Sequence, residues 1–188
     1  MATIVRPRRR TPRPAWRALA PSQAHAAAGP TGVDVQQSGA PLLPGLGGRR
    51  VLVVDDEPSI RLLCSVNLAM EGVEVVEAAD GAEALERAAG APFDLVLLDV
   101  MLPDIGGHEV ARRLQADGVG APIVFLSARA DPVDLEAGYE AGGVDYITKP
   151  FDPTALGARL GEVLGRVDRG DAEAFRRARL AELRARPA

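Results

Sequence analysis

From residue 50 onward, short apolar runs recur at near-regular intervals, separated by stretches of helix length. Val51-Leu52-Val53-Val54, Val73-Glu74-Val75-Val76, Leu95-Val96-Leu97-Leu98, Ile123–Leu126 and Val144–Ile147 are each four residues long. Runs this short and this apolar are expected of parallel strands covered on both faces. Between them lie helical patterns. One runs from Ser59 to Met70 with Pro58 at its first turn, and Asp80 caps another that ends near Ala89. Three more span Gly107–Ala116, Pro132–Ala141 and Pro153 to about Arg166. Strands alternating strictly with helices predict an α/β fold, a doubly wound five-stranded parallel sheet. In the last helix Gly157, Gly161 and Gly165 fall four residues apart, beside a core face of Leu156, Leu160, Val163, Leu164 and Val167. This spacing predicts an exposed glycine stripe, read either as drift in a Gly- and Ala-rich chain or as a track that a partner helix can approach.

The ends read differently. Residues 1–48 are rich in Pro and Ala and carry six Arg against one Asp, too little apolar surface to offset chain entropy. They read as a disordered basic extension. Residues 49–167 hold the predicted domain. Residues 168–188 form a short tail, with the makings of an amphipathic helix around Phe175, Leu180 and Leu183 but too few apolar residues for a second core. Charge follows the same division: residues 49–170 carry 22 acids against 11 bases, while both ends are basic.

Composition excludes several classes of function. Cys64 is the one cysteine, so no internal disulfide or thiolate cluster is expected, and it reads as a buried structural thiol. His25 and His108 lie far apart in sequence and suggest neither a metal site nor a triad. No apolar run approaches the roughly 20 residues of a membrane span. The Arg-rich start lacks the apolar stretch of a secretory signal, so a cytoplasmic location is expected.

In open parallel sheets, ligands bind beyond the carboxyl ends of the strands. Asp55 and Asp56 follow the first strand, Asp99 the third, Ser127 the fourth and Lys149 the fifth. Clustered carboxylates repel unless a cation sits among them, and hard oxygen donors suit magnesium. A lysine and a hydroxyl facing that cluster would hold a phosphate. Lys149 is the only lysine among 22 basic residues, so a compact ammonium looks specifically required there.

Four segments carry a family likeness: Val53-Val54-Asp55-Asp56-Glu57-Pro58, Leu97–Asp104, Leu126-Ser127-Ala128-Arg129 and Asp145–Phe151. In order and spacing, over residues 50–166, they resemble the receiver domains of bacterial two-component response regulators, most of all those of the winged-helix subfamily. The resemblance implies a flavodoxin-like fold and a signalling role as phosphoacceptor rather than an enzyme acting on a separate substrate. Asp99 would be the phosphoacceptor, served by Mg2+ on Asp55, Asp56, Asp99 and the Met101 carbonyl. Lys149, joined to Pro150 by a cis bond, would pair with the phosphoryl oxygens. Ser127 and Tyr146 would be the switch pair that moves inward on phosphorylation, altering the surface of helix four, strand five and helix five for a downstream protein.

The implied donor is a sensor histidine kinase or a phosphotransfer protein. Slow loss of the phosphoryl group is implied by Met101 and Arg129, neither of which orients water well. Leu135, Val144 and Gly161 stand where the subfamily has charged dimer contacts, while Asp134, Asp145 and Arg159 keep them, so the usual symmetric dimer is not expected. Two alternatives stand beside this reading. One is a receiver fragment of a DNA-binding regulator, although the few residues after 170 predict no DNA-binding domain. The other is an aspartyl-phosphate phosphatase, disfavoured because Glu57, not Asp, stands two residues beyond Asp55.

Overall fold

The computed structural model describes residues 45–128 and 131–185. The strands are β1 (Arg50–Val54), β2 (Glu74–Ala78), β3 (Leu95–Asp99), β4 (Ile123–Ser127) and β5 (Gly143–Thr148). They pair in parallel in the order β2-β1-β3-β4-β5. This is the doubly wound parallel sheet expected from the alternation, in the flavodoxin-like order that the resemblance implies. Residues of β3 and β4 are buried throughout, as continuous apolar runs require when helices cover both faces. Alternate residues of β1 serve different cores: Leu52 and Val54 join Phe125, Val110 and Leu114, whereas Val51 and Val53 join Cys64, Leu68 and Leu160.

The helices are α1 (Pro58–Met70), α2 (Gly81–Gly90), α3 (Gly107–Ala116), α4 (Pro132–Glu140), α5 (Pro153–Arg169) and α6 (Ala172–Arg184). α1 and α5 pack together over one face. α2 and α3 cover the other. Local chemistry sets the boundaries. Asp80, Asp131 and Asp152 each accept a backbone N–H of the helix they precede. α5 ends at Gly170, whose φ of 78° is left-handed.

Several expectations are corrected. β2 begins one residue later and runs to Ala78, extended by its pairing of Val54 with Ala78. Residues 45–48, assigned to the extension, form a turn instead. Leu46 is fully buried against α5, and Gly48 N donates to Gly72 O at 2.9 Å. Burying a leucine contributes roughly 1.5–3 kcal/mol, enough to fix the turn. That same leucine alters the glycine stripe. Gly157 is buried, and a Cβ on Gly161 would stand 3.7 Å from Leu46 Cγ, so the stripe is largely covered from within and offers no exposed track. The tail after Gly170 does form the helix expected there, α6, thirteen residues laid against α4 and β5. The segment 1–44, with His25 and the Arg-rich start, lies outside the described residues. Among the described residues no helix is long and apolar enough to cross a membrane.

Candidate functional site

The order of strands reverses between β1 and β3, and the loops beyond their carboxyl ends diverge there to leave a crevice. Asp55 follows β1 and is fully buried; Asp56 beside it is exposed. The Asp55 carboxylate accepts the Glu57 N–H at 3.0 Å, which fixes the turn into α1, and Arg61 Nη1 donates to the Asp55 carbonyl at 2.5 Å. Asp99 is the last residue of β3, not the residue after it, and its Oδ1 accepts the Met101 N–H at 3.1 Å. Lys149 leaves β5 through its own N–H donated to Ser127 O at 2.8 Å, and its bond to Pro150 is cis. Its ammonium donates to Asp55 Oδ2 at 2.6 Å and to Asp99 Oδ2 at 2.7 Å. The chain's one lysine therefore bridges the two buried carboxylates.

Burial pushes the Asp55 carboxyl up, as does the neighbouring Asp99 charge, while its bonds to Lys149 and Glu57 pull it down; the balance is upward. Burial acts to lower Lys149, but its bonds to Asp55 and Asp99 outweigh it and hold the ammonium above its ordinary value. Asp55, Asp56 and Asp99 each place a carboxylate oxygen so that all lie within 4.8 Å of one another. Such a hard-oxygen set suits a small divalent cation. The Met101 backbone lies at the same mouth with its side chain exposed, and Ser127 is buried at the end of β4. Arg129 lies outside the described residues. Cys64, on the buried side of α1, has its thiol pushed up to about 12, first by burial, which suits a structural role.

A glycine and an aspartate shape the site in ways the residue pattern does not announce. A Cβ on Gly107 would fall 2.1 Å from the Asp99 carbonyl oxygen, so α3 begins against the backbone of the phosphoacceptor candidate. The α2 end is tied in by Asp104, which accepts the N–H groups of Gly81 and Ala82 at 2.9 and 2.8 Å.

Tyr146 lies away from the carboxylates, and the structure seats it inward at 9% exposure, between Phe125 and Tyr139. Its hydroxyl donates to Asp134 O at 3.2 Å and meets His108 Nε2 at 2.9 Å. With the hydroxyl hydrogen so used, His108 Nε2 is the donor. A Cβ on Gly138 would stand 2.2 Å from the Tyr146 ring, so α4 makes room for the tyrosine with a glycine. Tyr146 is therefore seated inward in this structure.

Burial, then Arg112, hold His108 below its ordinary value of about 6.5, against a smaller opposing pull from Asp134. The unfolded chain thus takes up the proton first as pH falls. Stability should be unaffected above that value and decline below it, until the folded histidine also titrates. Melting temperatures from pH 7.5 to 5 should fall less steeply in His108→Gln than in the parent. Equal slopes would assign the loss to other groups.

Two of the charged residues kept from the subfamily's dimer contacts are engaged within the chain. Asp145, 4% exposed, takes two bonds from Arg159, at 2.5 and 2.8 Å. Val144 and Leu135 pack on opposite cores.

A doubly wound parallel sheet with a lysine-bridged carboxylate cluster at its switch point defines a flavodoxin-like domain built around an acidic pocket. Residues 51–161 match the response regulator receiver domain family, and the chain belongs to it. It is 43% identical over 118 residues to the alkaline phosphatase synthesis transcriptional regulatory protein PhoP of Bacillus subtilis, covering 63% of this chain and 49% of that protein. It is 45% identical over 129 residues to the phosphate regulon transcriptional regulatory protein PhoB of Pseudomonas aeruginosa, covering 68% and 56%. Among solved structures, chemotaxis response regulator CheY4 of Vibrio cholerae superposes with a TM-score of 0.57 at 37% identity, over 61% of this chain and 97% of that one. The chain spans about half the length of the curated relatives it matches.

Proposed function

We propose that this chain is a phosphorylation-dependent signalling switch that accepts a phosphoryl group on Asp99 from the phosphohistidine of a sensor kinase or phosphotransfer protein. A carboxylate oxygen of Asp99 attacks phosphorus, the phosphorus–nitrogen bond breaks, and its electron pair returns to the donor imidazole. The observation that carries this reading is the 2.7 Å bond from Lys149 to Asp99, which puts a fixed positive charge where the phosphoryl oxygens gain negative charge. The buried Ser127 hydroxyl would donate to the same oxygens. Asp55, Asp56, Asp99 and the Met101 carbonyl would hold Mg2+, which when bound supplies charge neutralisation between carboxylates and phosphate. The protein would catalyse its own phosphotransfer and dephosphorylation, in the cytoplasm, with no separate substrate turned over.

Magnesium dependence tests the site. With acetyl phosphate as donor, EDTA should abolish phosphorylation followed by intact mass. Asp56→Ala should weaken magnesium binding, read by calorimetry, by roughly tenfold or more. Asp55→Ala should weaken it less, because the receiver resemblance has Asp55 act on the metal largely through bound water. Equal phosphorylation in EDTA would overturn the metal assignment.

A second reading is favoured by the relatives' printed descriptions as transcriptional regulatory proteins: the chain would be the receiver part of a regulator that acts on DNA. A gel shift with genomic DNA that appears only after phosphorylation would favour it.

A further inference from the structure

α6 lies on α4 and β5 in a seat built mainly of hydrogen-bond acceptors. Glu136 and Glu140, four residues apart on α4, both take Arg184, with Glu136 at 2.5 Å from its Nε. The Tyr139 carbonyl accepts Arg176 Nη1 at 2.9 Å, and the Tyr139 hydroxyl pairs with Arg179. The carbonyl belongs to the last turn of α4, where the helix dipole also favours a cation. Leu183, 8% exposed, is the one fully seated apolar side chain of α6. The seat thus matches three arginines and a leucine on one helix, and planar guanidinium groups suit its paired oxygens better than ammonium would.

The hold is uneven along α6. Arg176 is only 25% exposed and the Arg166 guanidinium lies 4.0 Å over the Phe175 ring, so the start of the helix is held more firmly. Arg184 keeps 53% of its side chain exposed, and exposed ion pairs contribute little, so the end is where local opening is easiest.

We propose that the α4–β5 face is a receptor for an arginine-bearing amphipathic helix, filled within the chain by α6, and that a partner protein presenting a helix of the same chemistry exchanges with it. The partner gains access by displacing α6. Phosphorylation of Asp99 is not needed for this exchange, so it stands or falls separately from the function proposed above.

The probe is a fluorescent synthetic peptide of residues 171–185, titrated into the full chain and into a full-length variant, Leu183→Asp with Arg184→Glu, whose own α6 cannot seat. The variant should bind the peptide roughly tenfold or more tighter than the parent, because a tethered helix competes at high effective concentration. Reversing the seat with Glu136→Arg and Glu140→Arg should remove binding of this peptide. A peptide carrying Arg184→Glu should restore it. In the parent itself, excess peptide should speed hydrogen exchange at α6 amides while leaving β1 and β3 protected, a readout that needs no variant to fold. Equal affinity for parent and variant, no binding to either, or unchanged α6 exchange would overturn the proposal. So would dimerisation of the parent in sedimentation, with α6 exchanged between two copies.

Discussion

Asp99→Asn should remove phosphoryl uptake altogether. Incubated with acetyl phosphate and magnesium, the parent should gain the mass of one phosphoryl group and the variant none. Asparagine keeps the shape, and its amide oxygen can still accept the Met101 N–H that Asp99 Oδ1 accepts at 3.1 Å. It is not a nucleophile, and it removes one of the two carboxylates bonded to Lys149. Other carboxylates in the pocket do not substitute. Asp55 is fully buried and tied to both Glu57 N and Lys149, and Asp56 is exposed, the Lys149 ammonium being bonded to Asp55 and Asp99 instead. The fold should survive, since Lys149 keeps its 2.6 Å bond to Asp55. A variant that folds and still gains that mass would move the phosphoacceptor elsewhere.

The sheet and its edge were readable because they depend on local signals. Apolar runs doubly covered by helices announce themselves, and a strand that stops at an acid places that acid at the crevice. What escaped depends on contacts distant in sequence. His108 meets Tyr146 across 38 residues, and Gly138 matters only because the Tyr146 ring lies where its side chain would be. Leu46 reads as part of the basic extension, because nothing nearby in sequence shows that it folds back under α5. The α6 helix was undervalued for a different reason. Counting Phe175, Leu180 and Leu183 measures apolar burial alone, whereas its seat is made largely by arginines on α4 glutamates and a backbone carbonyl. Three glycines at helical spacing suggested an exposed track, yet Gly157 is buried and Leu46 stands over Gly161.

Lys149→Arg should slow phosphorylation by roughly 100-fold to 1000-fold, the range found when one stabilising donor is lost from a transition state. Charge is retained in this variant, so shape alone is tested. The Lys149 ammonium is a single nitrogen that lies 2.6 Å from one carboxylate and 2.7 Å from another, on a side chain only 18% exposed. A guanidinium is longer, planar and fixed in its donor directions, so it cannot bridge the same two oxygens without displacing Asp99 or tilting toward solvent. Lys149→Met supplies the contrast. It fits the space but leaves the buried Asp55 without its cation, and removing one partner of a buried pair costs about 3–5 kcal/mol, less here because the lysine is partly exposed. If charge were all that mattered, the arginine variant would phosphorylate at the parental rate while the methionine variant failed. If the compact ammonium matters, both should fail in phosphorylation, and only the methionine variant should melt markedly lower. Parental rates with arginine would mean that the chain's single lysine owes its place to composition and not to chemistry.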